Sequence, residues 1–121
     1  MGFNVADNMN TESSLVALKN AVKLRKDNDL SLIHHSDRGL QYCANEYQNL
    51  LNKSDIKCSM TQNSDPYENA VAERINGILK QEFSIHKFNA TLPIMKLLVK
   101  NAIEIYNQNR PHYSNYMLTP N

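Results

Sequence analysis

Two short apolar runs, Leu30–His35 and Ile56–Met60, most constrain what this chain can fold into. Each is too short for a stable helix and is bounded by polar turn residues, so both read as strands. The first is apolar enough to be a buried strand and closes on the turn Ser36-Asp37-Arg38-Gly39. The second alternates apolar and polar positions. Around them the apolar period becomes helical. Thr11 can cap a helix carrying Leu15, Val16, Leu18, Val22 and Leu24, which ends at Asp27-Asn28-Asp29. Asn45 to Asn52 forms a short helix with Tyr47, Leu50 and Leu51 inward. Asp65 as N-cap, Pro66 at the first helical position and Glu68 three residues on mark a helix running to about Phe83. A last helix starts near Thr91, turns Ile94, Leu97, Leu98, Ala102, Ile103 and Ile105 inward, and ends near Tyr106. The order helix, strand, helix, strand, helix, helix gives the class α/β.

At 121 residues the chain is expected to form one domain, 1–121, with a polar surface tail over 107–121. An apolar content of 41% argues against disorder. No run approaches the ~20 apolar residues of a membrane span. The N-terminus has no signal-peptide pattern, and Cys43 and Cys58 make no disulfide framework, so a reducing cytoplasmic setting without membrane is expected. The net charge of +1 creates no global basic field, so any nucleic-acid contact must be local.

Asp37 follows the first strand directly, on a turn. His35 and Asp37 share one face of an extended chain, and His34 and Ser36 the other. The C-terminal ends of strands are where open α/β sheets place their sites. Asp37 either caps the turn or belongs to such a site. On the helix after Pro66, Glu73, Asn76, Gly77 and Lys80 recur at intervals of three or four and lie on one face. That face is either ordinary solvated surface or one that approaches a phosphate backbone. Thirty-five residues separate Asp37 from Glu73. A hard divalent cation requires carboxylate oxygens brought together from separate elements, which a strand-end Asp and a helix-borne Glu can provide.

The segment Ile33-His34-His35-Ser36-Asp37-Arg38-Gly39-Leu40-Gln41-Tyr42 resembles the second acidic motif of the DDE transposases of bacterial insertion sequences, relatives of retroviral integrase. Asp65-Pro66-Tyr67-Glu68-Asn69-Ala70-Val71-Ala72-Glu73-Arg74, continuing to Leu79-Lys80, is similar to their third motif, at the same interval. Tyr106-Asn107-Gln108-Asn109-Arg110-Pro111-His112, with Thr119-Pro120, resembles the segment that closes that core.

The resemblance implies a partial ribonuclease H-like fold, with Met1–Val5 as the end of its third strand and the N-terminal strands of the core missing. It makes Asp37 and Glu73 catalytic metal ligands for Mg2+ or Mn2+, in a core that cleaves DNA strands and joins element ends to target DNA. Lys80, Asn76 and Arg38 become DNA contacts, with Arg38 alternatively orienting Asp37 or lying solvated in the turn. His35 becomes a possible accessory to Asp37. Ser64 stands where glycine is expected. The first acidic residue of the family's triad has no counterpart here, since Asp7 lies off any central strand. The chain is therefore expected to bind metal weakly, not to cut DNA alone, and to form a homo-oligomer. The alternative is a catalytically dead remnant that binds DNA or dimerises.

Overall fold

The computed structural model describes residues 2–26, 29–62, 66–87 and 89–120. They divide into two compact units, Met1–Glu73 and Arg74–Asn121. In the first unit, helix α1 spans Thr11–Leu24. Its cap is Asn10 rather than Thr11. The Asn10 side chain accepts the Ser13 N–H at 3.1 Å and satisfies one of the orphan donors of the first turn. At the other end Arg25 leaves the helix, and its guanidinium donates to the Ser54 carbonyl at 2.8 Å and the Leu30 carbonyl at 2.6 Å. One cation thus ties together the helix end, the approach to the first strand and the turn before the second. The expected stop at Asp27-Asn28 lies outside the described residues.

Strand β1, Leu32–Ser36, pairs in parallel with β2, Ile56–Met60, in the register Leu32↔Ile56 to Ser36↔Met60. Parallel neighbours need a crossover. Here it is built from helix α2, Leu40–Cys43, and helix α3, Asn45–Lys53. The one-turn α2 was not legible in the sequence. It starts where the Gly39 carbonyl accepts the N–H groups of Tyr42 and Cys43.

Leu18, Tyr47, Leu51 and Ile56 form the buried core, with Leu15, Val22, Tyr42 and Leu50 packed around them. Each such side chain contributes roughly 1.5–3 kcal/mol when fully removed from water. β1 itself is not the buried strand its composition suggested. Leu32 is 45% exposed and Ile33 61%. Among the described residues the sheet has two strands, so one edge of β1 has no neighbour there, and alternation turns Ile33 and His35 away from the face bearing Ile56.

The N-terminal residues 2–10 are not a strand either. They run along α1, where a Cβ on Gly2 would meet the Ala17 carbonyl and the Ala21 amide. Side-chain amides instead of a ladder hold this segment: the Asn20 side chain donates to the Phe3 carbonyl at 3.3 Å, and the Asn4 side chain donates to the Ser13 carbonyl at 3.2 Å.

His34 sits against this core, with its Nε2 3.0 Å from the Tyr47 hydroxyl and its ring near those of Tyr42 and Tyr47. Burial lowers the His34 pKa from its ordinary 6.5, with a smaller contribution from the neighbouring His35 in the same direction. Burial likewise pushes the Tyr47 phenol up to about 12. The neutral imidazole therefore favours the fold. Because the folded pKa is below the unfolded one, this stability is complete above about pH 6.5 and is lost as the pH falls towards the folded value. The urea midpoint should accordingly drop as the pH is lowered below about 6.5 in the parent protein. His34→Gln should lack that limb, and an identical slope in both would contradict the assignment.

In the second unit, helix α4, Ala70–Gln81, enters from the first and follows a 3-10 turn at Pro66–Asn69. The N-cap expected at Asp65, like the departure at Ser64, lies outside the described residues. Helix α5 spans Leu92–Asn109. Its buried residues are Ala102 and Tyr106, flanked by half-buried Met95, Leu98, Val99 and Ile103. Ile94, Leu97 and Ile105, expected inward, are exposed. They fall on the next stripe of the helix, about a third of a turn away.

The helix also runs beyond Tyr106 to Asn109, and Pro111 forbids its continuation. The following segment is more than a polar tail. Arg110 grips Glu82 through two 2.8 Å hydrogen bonds, and its guanidinium lies 5.8 Å from the centre of the Tyr106 ring. The His112 ring meets Tyr106 edge-on at 5.1 Å, and the His112 N–H donates to the Leu118 carbonyl to close a loop.

Candidate functional site

The end of β1 carries the densest set of specific contacts around any candidate residue. Ser36 is buried, and its hydroxyl donates to the Asp37 carbonyl at 2.9 Å. Asp37 is exposed, and its Oδ1 accepts the Gly39 N–H at 2.9 Å. The carboxylate thus caps the turn, as one reading of the sequence had it. A carboxylate has about four acceptor positions, so one N–H leaves capacity for a cation. Capping the turn and serving a site are compatible roles.

Arg38 is exposed, and its Nε donates to the Thr61 carbonyl at 2.7 Å, across the ends of the two strands. His35 lies on the face away from the core, with Nδ1 3.0 Å from Oγ of Ser59, its partner in the ladder. His34 and Ser36 share the opposite face, as alternation requires.

Glu73 occupies the first turn of α4 and is exposed, as are Asn76 and Lys80. Their spacing puts all three along one side of the helix. Between them, Gly77 has open space where a Cβ would stand, so no close backbone contact requires glycine there. Elsewhere on this helix Ile78 is buried, whereas Val71 is 80% exposed.

Asp37 and Glu73 present hard oxygen donors, the type that magnesium and manganese take. Among the described residues no group of three or more His, Cys, Asp or Glu side chains comes together to hold a metal ion. The donor type of these two side chains fits such a cation. No helix among them is long and apolar enough to cross a membrane.

Two contacts escaped the sequence reading. Arg38–Thr61 joins residues 23 apart, and Arg110–Glu82 residues 28 apart. Neither partner belongs to a periodic pattern, and only the arginines stood in segments already singled out.

A family model described as an integrase core domain matches residues 54–120, more than half of the chain. The transposase for insertion sequence element IS629 of Shigella sonnei is 31% identical over 110 residues, 91% of this chain and 36% of that protein. Transposase InsF for insertion sequence IS3A of Escherichia coli is 33% identical over 113 residues, 93% of this chain and 39% of its own length. The chain therefore spans about a third of the curated relatives it matches. Among solved structures, the catalytic core domain of BIV integrase superimposes with a TM-score of 0.68 at 18% identity, covering 89% of this chain and 67% of that one. A chain of the simian T-cell lymphotropic virus intasome, solved in complex with a regulatory subunit of PP2A, gives 0.70 at 17% identity, covering 88% and 37%. At these identities the likeness shows the fold. The α/β arrangement with its short parallel sheet is a partial ribonuclease H-like fold.

Proposed function

The chain belongs to the integrase core domain family, and from that premise we propose that it is part of an insertion-sequence transposase core and carries the Asp37 and Glu73 portion of a centre that cuts and joins DNA strands. The observation that supports this most is the setting of Asp37. It is an exposed carboxylate at the C-terminal end of a parallel strand, fixed by the Gly39 N–H, with a second exposed carboxylate thirty-five residues on. Asp37 and Glu73 would hold Mg2+ or Mn2+. When bound, such ions activate the attacking hydroxyl and offset charge on the leaving oxygen.

The remaining work belongs to the protein side chains. Lys80 directs a point charge at a phosphate, and Asn76 donates to a phosphate or base edge from the same side of α4. Arg38 stands next to Asp37, its guanidinium engaged with the Thr61 carbonyl. The attacking group is water for cleavage, or a DNA 3′-hydroxyl for joining. His35 meets Ser59 across the ladder, which favours a supporting role.

Two carboxylates without a third ligand among the described residues favour a second reading for the chain by itself, as a DNA-binding or self-associating piece. One experiment addresses both. With duplex DNA and Mn2+, the chain should bind DNA, and Lys80→Ala should reduce the slope of log affinity against log salt by about 1. No strand cutting should exceed that of a Glu73→Gln control. Cutting that Glu73→Gln abolishes would show that the chain is a complete catalyst. Absence of DNA binding at low salt would remove the nucleic-acid reading altogether.

A further inference from the structure

The Thr61 peptide group is held from both sides by the end of β1. Its N–H donates to the Ser36 carbonyl at 3.0 Å, extending the ladder one step beyond β2. Its carbonyl accepts from Arg38 Nε at 2.7 Å. Thr61 is only 8% exposed, so without Arg38 this carbonyl would be a buried acceptor lacking that partner. Ser36 and Arg38 flank Asp37 in sequence. The residue between them is thereby anchored at both neighbours, and its own carboxylate is anchored to Gly39. We infer that Arg38 is a positioning residue, which fixes the Asp37 carboxylate by latching the β1 exit to the Thr61 carbonyl through Nε rather than by supplying charge. Among the described residues no hydrogen bond or ion pair joins the Arg38 guanidinium to Asp37; the action passes through Thr61 and the backbone.

The inference rests on the reading of Asp37 as a metal ligand, and side-chain topology separates it from a charge effect. In glutamine, Nε2 stands the same number of bonds from Cα as Nε does in arginine, so Arg38→Gln retains a donor at that position and removes the charge. Lysine places a methylene there, so Arg38→Lys retains the charge and removes that donor. Both are substitutions at an exposed residue, and circular dichroism checks that each variant folds. Two signals are read without metal: the Gly39 amide proton shift, which reports its bond to Asp37, and the amide exchange of Thr61. Manganese is then added, and paramagnetic broadening at Gly39 is followed.

Arg38→Gln should keep both metal-free signals and the manganese response. Arg38→Lys should shift Gly39, speed Thr61 exchange and weaken manganese binding by about tenfold, the lower end of what lost outer-sphere support costs. Rescue by lysine and not by glutamine would overturn the latch in favour of charge. So would equal loss in both variants, or unchanged metal-free signals in both. An Asp37→Asn control separates the two layers. If manganese broadening survives it, the metal reading fails, while the metal-free signals still decide the latch.

Discussion

Replacing Ile33 by lysine is expected to convert a self-associated protein into a monomer without unfolding it. Among the described residues β1 has a hydrogen-bonding neighbour on one edge only. Leu30, Leu32 and Ile33 are all exposed on or beside it. The run from Leu30 to Ser36 contains no lysine or proline, the residues that usually block strand addition. A second copy can therefore extend the sheet and cover this apolar surface at once. Ile33 belongs to the exposed set and not to the cluster of Leu18, Tyr47, Leu51 and Ile56, so a charge there spares the core. Sedimentation at tens of micromolar should give the parent protein at twice the monomer mass or more, and Ile33→Lys at the monomer mass. A parent protein that sediments as a folded monomer would contradict this account of the edge.

The same strand shows what sequence can and cannot convey. The apolar run at Leu30–His35 located β1 to within two residues, and Ile56–Met60 was found without error. Composition marks which residues can be buried, but not how many neighbours an element has. β1 looked buried because Leu32 and Ile33 are apolar, and it is exposed because one edge and one face lack cover. The same cause turned Ile94, Leu97 and Ile105 outward on α5. The extended start of the chain was read as a strand, yet a strand exists only where a ladder partner exists, and here the side chain of Asn20 takes the Phe3 carbonyl instead.

Asp37 and Glu73 stand out in the sequence because each sits in a local motif. The supports of Asp37 were legible only in part. Gly39 lies within the turn, but Thr61 is distant in sequence and has an unremarkable side chain, since its peptide group makes the contact. Glu82 was missed for a similar reason: it reads as ordinary helix-end surface until Arg110 is brought to it. That fork lowers the Glu82 pKa and raises that of Arg110, so its contribution persists above about pH 4.5 and is lost as the pH falls through the lowered value.

The largest expected spectroscopic effect concerns the metal. If Asp37 and Glu73 serve one centre, a paramagnetic cation held by them relaxes nearby nuclei from both segments, even when binding is weak. Each carboxylate must come within about 2.1–2.2 Å of its cation. Backbone amides beside both residues then lie well inside the range of manganese broadening. Asp37→Asn removes one hard charged donor while preserving size and the Gly39 bond, so loss of broadening would reflect ligation rather than unfolding. The decisive measurement is a titration of the isotope-labelled chain with Mn2+, followed at the amides of Gly39 and Glu73. The account predicts that both broaden together, at the same cation concentration, and that Asp37→Asn abolishes both. Broadening at one amide that leaves the other sharp, or broadening at both that persists in Asp37→Asn, would contradict it.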